Sequence, residues 1–224
     1  MTFAHKALVA AVALAASSFG MAEDNSNFYG FVDAGQAQID GHASYSRLTH
    51  YAVYGTDGLD EHNTTQYSLG VGMNFNEYIG MELSYNNYGE ISDGYDTPGF
   101  VPGNPASINP AVDDFLDTRV EDIMSVGLAL VVGTPVGDNF STYAKVGVEV
   151  WEASVRGISL QTPVSIADDS HDTYNGIDYF YGFGFKLDMT DNLSLRNEYV
   201  WHKMKDEGLE LDTQSITLGL VYTF

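Results

Sequence analysis

The chain has no cysteine among its 224 residues. It can form no disulfide, which suits an envelope protein as well as many others. Lipid attachment at a leader cysteine is excluded too. Beyond the N-terminus there is also no run approaching the roughly 18 apolar residues that a membrane-spanning helix requires. That excludes a helical membrane protein but not a barrel, whose strands alternate apolar and polar residues and so average out. Basic residues are scarce: nine Lys and Arg face 31 Asp and Glu, a formal net charge of −22. Such a chain repels phosphate, which argues against nucleic acid and against bare anionic lipid as partners. What the chain has in quantity is Tyr (15), Phe (12) and Gly (23).

The first 22 residues read as a targeting segment. Lys6 precedes the apolar stretch 7–16, and Gly20 and Ala22 supply the small residues of a cleavage site. The stretch is too short to span a bilayer. Cleavage after Ala22 is expected, leaving 23–224 as one domain.

That domain alternates with a period of two. In 215–224, Ile216, Leu218, Leu220, Tyr222 and Phe224 share one face, and Ser215, Thr217, Gly219, Val221 and Thr223 the other. In 177–187, Tyr179, Tyr181, Phe183, Phe185 and Leu187 oppose Asp178, Phe180, Gly182, Gly184 and Lys186. Residues 192–203 set Leu193, Leu195, Tyr199 and Trp201 against Ser194, Arg196, Glu198 and His202, with Asn197 out of pattern on the apolar face. The same alternation marks 67–75, 79–88, 124–132 and 143–152, and more weakly 28–38, where Val32 and Ala34 are set outward and Asp33 inward. These eight strands predict an all-β, antiparallel, up-and-down transmembrane barrel. Short links near 76–77, 133–139 and 188–192 suit periplasmic turns. Long ones at 39–65, 91–119, 154–174 and 204–213 suit extracellular loops. Residues 44–54 leave open an added hairpin and ten strands. Tyr78, Phe140, Phe185 and Phe224 would form one aromatic girdle, and Tyr54, Tyr88, Tyr179 and Trp201 the other.

The inward face collects Asp33, Glu82, Lys145, Glu149, Asp178, Lys186, Arg196, Glu198 and His202. Eight strands leave a bore that side chains roughly fill, so these charges are expected to pair across it. They would form either a plugging ion-pair core or a gated ion path.

Residues 183–199 and 215–224, together with 70–85, resemble the closing strands and second hairpin of the OmpA-like transmembrane barrels. The resemblance covers the strands, about half of the chain after residue 22, and not the loops. It implies a polar interior with ion pairs, and Glu82 and Arg196 lie on the strands where the family places one. Phe224, with Tyr222 before it, resembles the terminal signal read by the outer-membrane assembly machinery. The sequence ends on the eighth strand, so the family's peptidoglycan-binding domain is not expected.

Function is then expected to reside in the loops: a structural or surface-interaction role in envelope integrity, adhesion or colonisation. The expected partners are outer-membrane lipid and lipopolysaccharide and a host or surface ligand, with the chain a monomer. The acidic loops could also hold a divalent cation, and Asp168, Asp169 and Asp172 are the densest candidates. No cofactor and no catalysis are expected. Two alternatives stay open: a narrow channel, and an outer-membrane enzyme acting on lipid A or surface peptides, for which His202 near an outer strand end would be needed.

Overall fold

In the computed structural model the chain forms eight antiparallel strands. It describes residues 28–44, 56–94, 117–160, 167–206 and 209–224, with side chains except at 42–44, 56–61, 92–94, 117–119, 156–160 and 167–171. The strands are β1 (Phe28–Ser44), β2 (Thr56–Asn74), β3 (Ile79–Gly94), β4 (Asp117–Pro135), β5 (Phe140–Leu160), β6 (Ala167–Asp188), β7 (Leu193–Asp206) and β8 (Leu209–Thr223). Each pairs with its sequence neighbour, and β1 pairs with β8, closing the ring. The ring closes with eight strands; residues 45–54 of the suggested extra hairpin lie outside the described residues.

The alternating pattern sorts as the period of two requires. Val32, Leu69, Val146, Val148, Tyr179, Phe183, Ile216, Leu218 and Tyr222 face outward and are exposed. Asp33, Glu82, Glu149, Arg196, Glu198 and His202 face inward and are buried. Asn197, the exception on the outer face, donates from Nδ2 to the Thr217 carbonyl at 2.8 Å, so its amide is not left bare toward lipid. At one end the links are tight. Asn76 Oδ1 accepts from the backbone N–H groups of Tyr78 (2.8 Å) and Ile79 (2.9 Å), and Thr190 Oγ1 accepts from that of Leu193 at 3.0 Å. Such side-chain caps are why Asn and Thr suit these turns.

The opposite end departs from expectation. Strands run 14 to 22 residues, where a bilayer needs about 9–11. Much of what reads as extracellular loop is therefore strand, and the expected long link at 204–213 is reduced to residues 207–208 between β7 and β8. These extensions do not continue the full ring. The β2–β3 ladder stops at Tyr67–Asn87 and the β6–β7 ladder at Phe180–His202. Every other ladder continues: β1–β2 to Ser44–Thr56, β3–β4 to Gly94–Asp117, β5–β6 to Leu160–Ala167 and β7–β8 to Asp206–Leu209. Above the barrel proper there are thus two four-stranded sheets, β7-β8-β1-β2 and β3-β4-β5-β6, meeting along two seams where the ladders have ended.

The polarity of the two faces inverts at that level. Ala37, Ile39, Met204, Leu209 and Leu211 from one sheet pack inward with Tyr88, Ile91, Val120, Ile123, Trp151, Ala153, Val155 and Tyr174 from the other, all buried. Outside the membrane the outer face meets water, so the apolar residues must turn in, as in a soluble sandwich.

Candidate functional site

The interior is built in layers. At the turn end lies a vestibule of about 450 Å³, reaching from Asn76, Tyr78, Asp138 and Asp188 to Tyr29, Glu82, Tyr143 and Arg196. Its inner wall is a charge layer centred on Arg196. Arg196 Nε donates to Asp33 Oδ1 at 2.8 Å and Nη2 to Asp33 Oδ2 at 2.5 Å. Nη1 donates to Glu82 Oε1 at 3.0 Å and Nη2 also to Glu198 Oε2 at 3.3 Å. Lys145 Nζ donates to Glu198 Oε2 at 2.6 Å. The hydroxyls of Tyr29 and Tyr143 donate to Glu82 Oε1 (2.9 Å) and Glu198 Oε1 (2.8 Å), and Ser68 Oγ to Asp33 Oδ2 (3.1 Å). The Phe31 ring lies 3.7 Å from the guanidinium carbon, a cation–π contact. Two cations thus hold three buried carboxylates, with hydroxyls taking up the lone pairs left over, as burial of charge demands.

The register explains how side chains from non-adjacent strands meet. Asp33 pairs with Gly219, and Gly219 with Arg196. Tyr29 pairs with Gly72, and Gly72 with Glu82. Tyr143 pairs with Gly184, and Gly184 with Glu198. In each row a glycine on the middle strand lets a side chain cross over it to the strand beyond. A β-carbon at Gly219 would overlap Asp33 Oδ1, and at Gly72 or Gly184 it would overlap the tyrosine ring.

Above the charge layer a small cavity of about 10 Å³ lies between Gln66, Ser84, Lys145, Phe180 and Glu198, room for about one water. Next comes a second polar group. His202 Nδ1 is 2.9 Å from Glu149 Oε1 and 3.1 Å from the Tyr88 hydroxyl. The imidazole stacks on Phe180 with ring centroids 5.3 Å apart. Tyr88 stands one residue past the last β2–β3 pair, and His202 is in the last β6–β7 pair. This group therefore ties the two upper sheets together at the level where they part. The apolar cluster follows, over the top.

The expected charge network thus divides. Asp33, Glu82, Lys145, Arg196 and Glu198 meet in one layer, with the Glu82–Arg196 contact that the family resemblance implies. Glu149 and His202 meet in another. Asp178 stands apart, accepting from Trp151 Nε1 at 2.7 Å and from the Lys205 backbone N–H at 2.8 Å. Lys186, half-buried in the vestibule wall, pairs with Asp188 at 3.5 Å. Asp168, Asp169 and Asp172 lie along the extended backbone of β6 rather than in a loop. Asp172 is partly buried, and the side chains of the other two lie outside the described residues. Among the described residues no group of three His, Asp or Glu is arranged to hold a metal ion. Tyr222 and Phe224 face outward with their rings 5.4 Å apart. Tyr179, Tyr78, Phe140, Phe185 and Phe224 are exposed at the girdle positions. Tyr88 is not a girdle residue, because its hydroxyl is satisfied inside by His202; Tyr54 lies outside the described residues.

Tyr29, Phe31, Tyr143 and Tyr88 join these layers without having been singled out as interior site residues from sequence. The signal that would have found most of them is a glycine at an inward position opposite each, which only the register reveals.

Residues 7–224 match the family model for the outer membrane protein beta-barrel domain. The chain is 27% identical over 157 residues to outer membrane protein A of Klebsiella aerogenes, covering 68% of this chain and 37% of that protein. To outer membrane protein A of Klebsiella pneumoniae it is 25% identical over 194 residues, covering 82% and 49%. It spans less than half the length of these two relatives. Its fold is similar to that of Neisserial surface protein A (TM-score 0.52, 14% identity, 88% of this chain and 97% of that one). It is also similar to OprG of Pseudomonas aeruginosa (TM-score 0.51, 13% identity, 88% and 96%). Closed ring, charged interior and family match agree: the chain belongs to the outer membrane protein β-barrel domain family, as an OmpA-like barrel of the cell outer membrane.

Proposed function

We propose that this barrel has a structural or surface-interaction role, in envelope integrity, adhesion or colonisation, carried by its extracellular end. The observation that carries the proposal is an interior crossed at two levels by packed side chains. The ion pairs of Arg196 and the apolar cluster each cross the interior, which supports a role carried by the outer sheets and loops rather than by transport through the barrel. The barrel itself is proposed to be a monomer contacting lipid and lipopolysaccharide, assembled through a terminal signal at Tyr222 and Phe224. It is proposed not to be an enzyme, since His202 lies buried beneath the apolar cluster rather than at an open rim.

A narrow channel is the second reading, and the vestibule at the turn end favours it. Both readings meet in one comparison. In planar bilayers the purified barrel is expected to give no conductance above the lipid background, while cells displaying it adhere to host surfaces better than cells whose barrel has its 39–61 hairpin replaced by a short turn. Steady unitary conductance would favour the channel. Equal adherence, with equal detergent sensitivity of the cells, would overturn the surface role.

A further inference from the structure

The vestibule at the turn end is short of positive charge. In the layer that floors it, Arg196 and Lys145 face Asp33, Glu82 and Glu198, two cations against three carboxylates. Its walls add Glu77, Asp138 and Asp188 against Lys186. Lys186 pairs with Asp188, while Glu77 and Asp138 are exposed and in no ion pair among the described residues. Glu82 brings the excess to the cavity surface. It is only 5% exposed, and its bonds from Tyr29 and Arg196 both go to Oε1. Oε2 accepts no bond among the described residues, yet it is not sealed off as Glu149 Oε2 is. It therefore opens on the vestibule, the cavity that Glu82 lines, with its accepting capacity unspent.

A single metal ion does not suit this arrangement. A hard cation needs several oxygens converging on one point, and among the described residues no three His, Asp or Glu do so. The acids are spread out instead. Glu82 stands at the floor, and Glu77 and Asp138 stand at the rim, in the links that follow β2 and β4. Acids spaced along a cavity match ammonium groups spaced along a flexible chain. At about 450 Å³ the vestibule is in the size range of small-molecule sites. The rings of Tyr29 and Tyr143 line it beside Glu82, a surface favourable to methylene groups and to ammonium alike.

We propose that the vestibule binds a small linear polyamine, one ammonium group on Glu82 Oε2 and another at Glu77 and Asp138. This goes beyond the surface role and does not rest on it. The test uses the full chain refolded in phosphocholine nanodiscs and spermidine as the probe, titrated by calorimetry against sodium chloride of equal ionic strength. Saturable heat from one site is expected. E82Q, checked for its heat-dependent gel shift, should weaken binding about tenfold or more, the scale of one charge-assisted hydrogen bond. E77Q with D138N should weaken it about threefold. Neither of those side chains bonds to the interior among the described residues, so this variant decides the matter even where E82Q does not fold. E210Q, at the opposite end of the barrel, should bind as the parent does. No saturable binding would overturn the proposal, as would unchanged affinity in E77Q with D138N. So would a loss confined to E210Q, or equal heat from magnesium chloride at the same concentration.

Discussion

Arg196 illustrates how much of the interior hangs on single residues. It is 3% exposed and shared among Asp33, Glu82 and Glu198. Replacing it with alanine strands three buried carboxylates with only Lys145 for company, and breaking such a network costs about 3–5 kcal/mol. A lower urea midpoint for R196A in micelles is expected, with R196K intermediate because an ammonium cannot form the two-pronged contact with Asp33. Gly219 should matter nearly as much without touching a charge itself. G219A puts a methyl group where Asp33 Oδ1 lies, so its midpoint should fall too, while alanine at Gly137, which has open space around it, should change nothing measurable. Sequence alone exposes part of this. Period-two alternation puts Glu82, Arg196 and Glu198 on the inner face, but says nothing of which strands face each other, so the tyrosines that finish the network were not legible.

At the level of elements, the membrane-embedded strands were legible and their extensions were not. Within the bilayer the outer face is apolar, and Ile216, Leu218, Leu220 and Tyr222 announce it. Above the bilayer that face turns polar. Lys203, Lys205, Glu210 and Asp212 then look like loop, although Met204, Leu209 and Leu211 between them are fully packed inside. The tip of the β7–β8 hairpin provides a pH test. Hydrogen bonds from Lys205 and Lys203 hold the Glu210 carboxyl below its ordinary value. A lowered folded value means the contribution is present above the ordinary carboxylate range of about 4.3 and is lost as pH falls through the lowered value. Amide exchange at 203–212, corrected for its intrinsic rate, should therefore rise relative to the barrel in acid, and E210Q should erase the step. The Tyr88–His202–Glu149 group makes a different demand. H202A leaves Glu149 buried without its partner, so exchange in both upper sheets should accelerate while the membrane strands stay protected.

For the whole molecule, closure is the governing property. A ring with every membrane-level ladder paired resists SDS until heated, so folded and boiled samples should migrate differently on a gel; identical mobility would contradict the ring. Mass spectrometry of protein purified from outer membranes is expected to find an N-terminus at Glu23, as the proposed removal of residues 1–22 requires.

The contact between Asp33 and Arg196 joins residues 163 apart in sequence, and it lies across the β8–β1 junction, with only Gly219 between them. No smaller piece of the chain can make it, because the first strand and the last two must already be side by side. It acts as a clasp that fastens only once the necklace is complete. A weakened clasp should show less in how the individual hairpins form than in how long the chain lingers open, exposed to proteases, before the ends join.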